Sequence, residues 1–237
     1  MIPDASAAAL QRIAQRADEL RHAYRPGFEP ADARGPRSTH AVASLDPLSV
    51  AAPPECWFAF ATAAGVRYGR DGGFSLADGT LRARDGAGVL GLAPGATALG
   101  PLRVDAVDAA LGRVADARVD ADGTLSYLRV ALDPRSGARR SERVEVGRIA
   151  LARFPAGTEA TRVDAEHVGA PPGVAPRYGR PGDADFPALR PFARDLGAID
   201  PQSGVRRLQE AYLSFEALQA AERQRRGFDR VAGDLIK

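Results

Sequence analysis

The chain has 237 residues, 45 % of them apolar and 26 % charged, with a formal net charge of only +2. It is long enough to bury a substantial core, and it has no apolar run of the roughly 20 residues that a membrane span needs. One cysteine, Cys56, excludes an internal disulfide and a thiolate-built metal cage. The basic residues are almost all arginine, Lys237 being the single lysine, and a net charge this small is no footprint for nucleic acid.

In chain order, residues 1–24 read as a helix. Leu10, Ile13, Ala17, Leu20 and Tyr24 recur at spacings of 3 and 4, with Arg12, Arg16, Asp18, Glu19 and Arg21 off that stripe. Pro26-Gly27 ends it. The first ten residues have none of the basic, then apolar, order of a cleaved secretory signal. Residues 25–47 read as a polar linker.

Residues 48–168 read as an all-β domain of short alternating segments. Asp-Gly recurs at 71–72, 78–79 and 85–86, framing the five-residue segments 73–77 and 80–84, and again at 122–123. This dipeptide suits tight hairpin turns, because glycine takes positive φ without a clash and aspartate tolerates it. The pattern predicts a meander. Residues 144–154 read as a further strand or strand pair.

Residues 169–202 read as a second linker, with six prolines and four glycines between 169 and 191. Residues 203–237 read as a closing helix, with Ser203 as its N-cap. Val205, Leu208, Tyr212 and Phe215 form its stripe, continued with some drift by Leu218, Phe228, Val231 and Leu235. The fold expected is mainly β with terminal α-helices. Those helices pack on a domain core or pair in coiled-coil fashion within or between chains.

Chemical motifs give little. Gly86-Ala-Gly88-Val-Leu-Gly91 has dinucleotide-loop spacing, but Leu92-Ala-Pro94-Gly95 follows where a helix must start. Asp120-Ala-Asp122-Gly123 begins like a calcium loop and lacks its closing glutamate. His22, His40 and His167 have no ligand spacing. Arg223-Gln-Arg225-Arg226 reads as a solvated helix face. No catalytic residue, cofactor or metal is assigned, and an enzyme gets no positive support.

One long segment does carry a resemblance. Pro47-Leu48, Val50-Ala51, Trp57-Phe58-Ala59, Thr62 and Gly65 are followed by Tyr68-Gly-Arg70-Asp-Gly72-Gly-Phe74. Then come Asp78-Gly79-Thr-Leu81, Asp85-Gly86, Val89-Leu90-Gly91, Asp122-Gly123-Thr124 and Val146-Gly147-Arg-Ile-Ala-Leu-Ala-Arg-Phe154. In order and spacing this series resembles the bacterial flagellar rod and hook family. The ends match it less: Ala17, Leu20, Gly27 and Phe28 are kept and the family's asparagines are absent, while Ser203-Gly-Val205 and Glu216-Ala217 resemble its C-terminal pattern. Trp57 and the short length are most like a rod subunit.

The resemblance implies a non-enzymatic structural subunit of the basal-body rod, exported by the flagellar type III apparatus without a cleavable signal. It implies terminal helices pairing as a coiled-coil-like rod core. Its partners would be other copies and other rod or hook proteins. The assembly residues would be Leu10, Ile13, Ala17, Leu20, Tyr24, Val205, Leu208, Tyr212 and Phe215. The alternative is a secreted, adhesin-like β module whose helices pair only within the monomer.

Overall fold

The apolar run Trp57–Thr62 sets the centre of the fold. Strand side chains alternate between the two faces, and here both faces are covered. Phe58 and Phe60 enter one core with Phe74, Leu81, Val89, Leu125, Tyr127, Ile149 and Leu151. Trp57 and Ala59 enter a smaller one with Tyr68, Leu90, Ala152 and Val168. The Phe58 and Phe74 rings meet edge to face at 5.0 Å between centroids, the arrangement that their quadrupoles favour.

The computed structural model describes residues 3–23, 26, 41–132, 137–158, 160–164, 166–196 and 201–235. One large sheet dominates. Its main path runs through strands Thr161–Arg162, Val168–Gly169, Gly65–Gly69, Trp57–Thr62, Gly88–Leu92, Arg139–Ile149, Thr124–Leu132 and Val114–Val119. Leu151–Arg153 pairs with Trp57–Thr62 on one side and Arg177–Gly179 on the other. A separate two-stranded ribbon joins Ala41–Ala43 to Ala193–Asp195 in antiparallel register. Arg190–Pro191 pairs with Val50–Ala51.

The turn chemistry succeeds where its geometry is local. Asp78 and Gly79 take φ of 51° and 69° in the two-residue turn between Ser75–Ala77 and Thr80–Arg82. Gly86 and Gly123 also turn with positive φ. Asp71-Gly72 differs from expectation: it closes no hairpin, since Gly65–Gly69 pairs with Trp57–Thr62 and Val168–Gly169 instead. Gly72 is needed for a close approach. Its carbonyl accepts from the Val50 N–H at 3.0 Å, and a Cβ there would lie 1.7 Å from the Val50 carbonyl oxygen.

Among the described residues there are three helices: α1 Pro3–Arg21, α2 Ala106–Ala110 and α3 Pro201–Leu235. The short α2 is not anticipated by any periodicity. Asp105 caps it, one carboxylate oxygen accepting from the N–H groups of Val107 and Asp108 at 2.8 and 3.1 Å. In α3, Ser203 is not the cap but lies inside the first turn, after Pro201, a residue suited to a helix start because its missing N–H is unpaired there anyway.

The coiled-coil-like core of paired terminal helices is not formed. The protein is mostly β, and although α1 lies against α3, a 19-residue helix meets a 35-residue one. Knobs-into-holes packing needs large apolar residues along the seam. Among its described side chains α1 buries Ala9, Ile13 and Glu19, of which only Ile13 is large and apolar, while Leu10, Val205 and Tyr212 from the stripes stay exposed. The segment 169–191, read as a linker, packs on the β body and sends Phe186 and Leu189 into its core.

Candidate assembly surface

The two stripes divide between an inner and an outer role. Ile13 is buried, and Ala17, Leu20, Leu208 and Phe215 are half-buried. Leu10, Val205 and Tyr212 are 52, 46 and 51 % exposed. Tyr24 lies outside the described residues. Among the described side chains of α3 the covered positions are Ser203, Gly204, Arg207, Leu208, Ala211, Phe215, Leu218 and Glu222, which centre on one face. Ser6 donates from its hydroxyl to Glu222 at 2.9 Å. With the start of α1 at residue 222 and the covered face of α3 reaching back to Gly204, the helices run antiparallel.

That direction decides where the exposed residues point. At 3.6 residues per turn, Leu10 and Ala17 lie about a quarter-turn from the covered face of α1. Val205 and Tyr212 lie about a quarter-turn from the covered face of α3. Because the second helix runs backwards, both rotations end on the same side of the pair. Leu10, Ala17, Val205 and Tyr212 therefore share one flank. Leu213, 65 % exposed, points away from the seam; no stripe singles it out.

The motifs singled out in the body take structural places in the fold. Gly88 and Gly91, from the dinucleotide-like spacing, sit in strand Gly88–Leu92, where a Cβ on Gly91 would come within 2.3 Å of the Arg148 carbonyl oxygen. No helix N-terminus follows them. The Asp122 carboxylate accepts from the N–H and hydroxyl of Thr124 at 3.1 and 2.9 Å, which makes a turn. Among the described residues no three His, Cys, Asp or Glu side chains gather as a metal cage. His167 is buried, with Nδ1 at 3.1 Å from Asp164 and Nε2 at 3.5 Å from Asp85. No described helix is long and apolar enough to cross a membrane.

Two polar clusters that sequence reading missed hold the body in shape. The Tyr127 hydroxyl donates to Asp108 at 2.6 Å, and Arg129 Nε donates to the same carboxylate oxygen. The Tyr127 bond, then that from Arg129, holds the Asp108 carboxyl below the usual range against an opposing effect of burial. A carboxyl lowered in the folded state stabilises above its unfolded value, near 4, and that stability is lost as pH falls through the folded value. Asp108→Asn should therefore weaken the protein at neutral pH and flatten its loss of stability below about pH 4. Urea unfolding across pH 2–7 checks this: an unchanged acid slope in the variant contradicts it. The other cluster surrounds the buried guanidinium of Arg70. The single thiol, Cys56, is fully buried and pushed up to about 11, chiefly by burial and then by Glu55, so it is no nucleophile at neutral pH.

Comparison with protein-family models gives no match, and comparison with curated proteins gives none either.

Proposed function

We propose that this chain is a structural subunit of a bacterial flagellar rod, joining other copies and sister rod or hook proteins through the outer flank of its terminal helices. One geometric argument carries the reading: Leu10, Val205 and Tyr212 are about half-exposed on two different helices, and helical geometry brings them to the same side of the antiparallel pair. The ordered motif series from Pro47 to Phe154 supports the family. In this reading the β body forms the outer layer, and export proceeds through the flagellar type III apparatus to the periplasmic rod.

Magnitudes set the kind of assembly. Fully burying one large apolar side chain is worth about 1.5–3 kcal/mol, so finishing three half-exposed ones gives roughly 2–5 kcal/mol. Association costs about 4 kcal/mol or more in lost freedom. The flank alone does not hold an isolated dimer. It contributes in a lattice where each copy meets several neighbours, and contacts that do not close into a ring extend into a filament.

A second reading, the secreted adhesin-like module with an intramolecular helix pair, is favoured by the Ser6–Glu222 bond within one chain. Deleting the gene and imaging purified basal bodies separates them. The rod reading expects an absent or shortened rod and lost motility. Normal rods in a motile deletion strain overturn it.

A further inference from the structure

We propose that Arg70 is the joint that fastens the C-terminal strand Ala193–Asp195, and with it the ribbon leading to both terminal helices, to the β body. The guanidinium is 1 % exposed, as is the Asp195 side chain. Nε donates to Asp195 Oδ2 at 2.6 Å. Nη1 donates to the carbonyl oxygens of Pro53, Pro54 and Cys56 at 2.9, 2.9 and 2.6 Å, and Nη2 to that of Ala52 at 3.0 Å. Its Cζ lies 5.8 Å from the centre of the Trp57 ring. The guanidinium fork thus divides its donors between two separate pieces of chain: one loop of the body, Ala52–Cys56, and one carboxylate of the ribbon.

The ribbon depends on such a fastening. Ala193–Asp195 pairs with Ala41–Ala43 in a sheet of two strands that does not join the large one. Just before it, the chain leaves its pairing with Val50–Ala51 through Phe192, which has φ of 53°. A bulky residue disfavours that left-handed conformation, and it persists only where the surroundings enforce it. Arg194 and Asp71 make a second, partly exposed tie at 3.3 Å, and surface pairs of that kind contribute little. The buried pair is different in kind: removing one member leaves the other charge uncompensated in the interior. This coupling holds whether or not the helices polymerise. In a rod it would be the place where load passes between helices and body.

Hydrogen exchange on the full-length monomer tests the joint. Lysine keeps the charge of Arg70→Lys but has no planar fork to reach both pieces of chain. Asp195→Ala keeps Arg70 and its four carbonyl partners and removes the carboxylate that ties them to the ribbon. In both variants the amides of Ala41–Ala43 and Ala193–Asp195 should exchange at least tenfold faster. Those of Phe58, Phe60, Leu125 and Tyr127 should stay within twofold of the parent. If ribbon and body accelerate together, Arg70 is a general core residue and the proposal fails. It also fails if the ribbon keeps its protection. Should Arg70→Lys not fold, the Asp195→Ala comparison decides alone by the same two criteria.

Discussion

Phe58→Ala is expected to lower the stability of the β body by about 3–5 kcal/mol, the range for removing a fully buried aromatic ring. Phe58 has no exposed surface and touches the cluster on several sides, with Phe74 at 5.0 Å and Phe60 at 6.5 Å between ring centroids. Phe58 Cε2 comes within 3.0 Å of the place that a Cβ on Gly72 would take, so removing the ring strips contacts from that backbone as well. Lost contacts therefore add to lost transfer energy. Since a whole domain is held by roughly 5–15 kcal/mol, the variant should unfold at a far lower denaturant concentration. A loss under about 1 kcal/mol would mean that this ring is not at the centre of the core.

Replacing Leu10, Val205 and Tyr212 together with aspartate is expected to abolish assembly while leaving the β body folded. All three side chains are about half-exposed in the single chain, so the monomer loses only the half of each that it already buries, roughly 2–5 kcal/mol in all by the same measure, and that loss falls on the helix pair. In an assembled lattice the same changes would bury three unpaired carboxylates per subunit, each costing several kcal/mol. Leu208→Asp or Phe215→Asp should also stop assembly, but by another route. These residues are half-buried on the covered face of α3, so their loss loosens the helix pair as well. A strain carrying the triple variant should be non-motile, with the protein still folded by circular dichroism. Normal motility would remove the flank from any assembly role.

The sequence made the β body legible wherever the signal was local. Asp78-Gly79 turns where its dipeptide says it should, whereas Trp57–Phe60 bury on both faces, so burial along that strand does not alternate. Asp71-Gly72 did not follow, because Gly72 serves a contact with Val50, and no local pattern reports an approach between distant backbones. The helices were legible as helices, but which face turned inward was not. Ala9 and a carboxylate, Glu19, occupy the covered side of α1 with Ile13, whereas Leu10 lies out. Periodicity weights residues by hydrophobicity and cannot see which face the rest of the fold covers. Arg70 stood within the quoted motif series, yet its role was invisible. Its four carbonyl partners are backbone atoms, and Asp195 is 125 residues away. The capped helix α2 was missed because five residues are too short for any period to register.

Sedimentation velocity on the purified full-length chain, followed over a wide range of concentration, bears most directly on whether the helix flank is a surface for other copies. The flank interaction predicts weak, open-ended growth in size with concentration, absent in the triple aspartate variant. A single monomeric species up to the highest concentration, identical for both proteins, would contradict it.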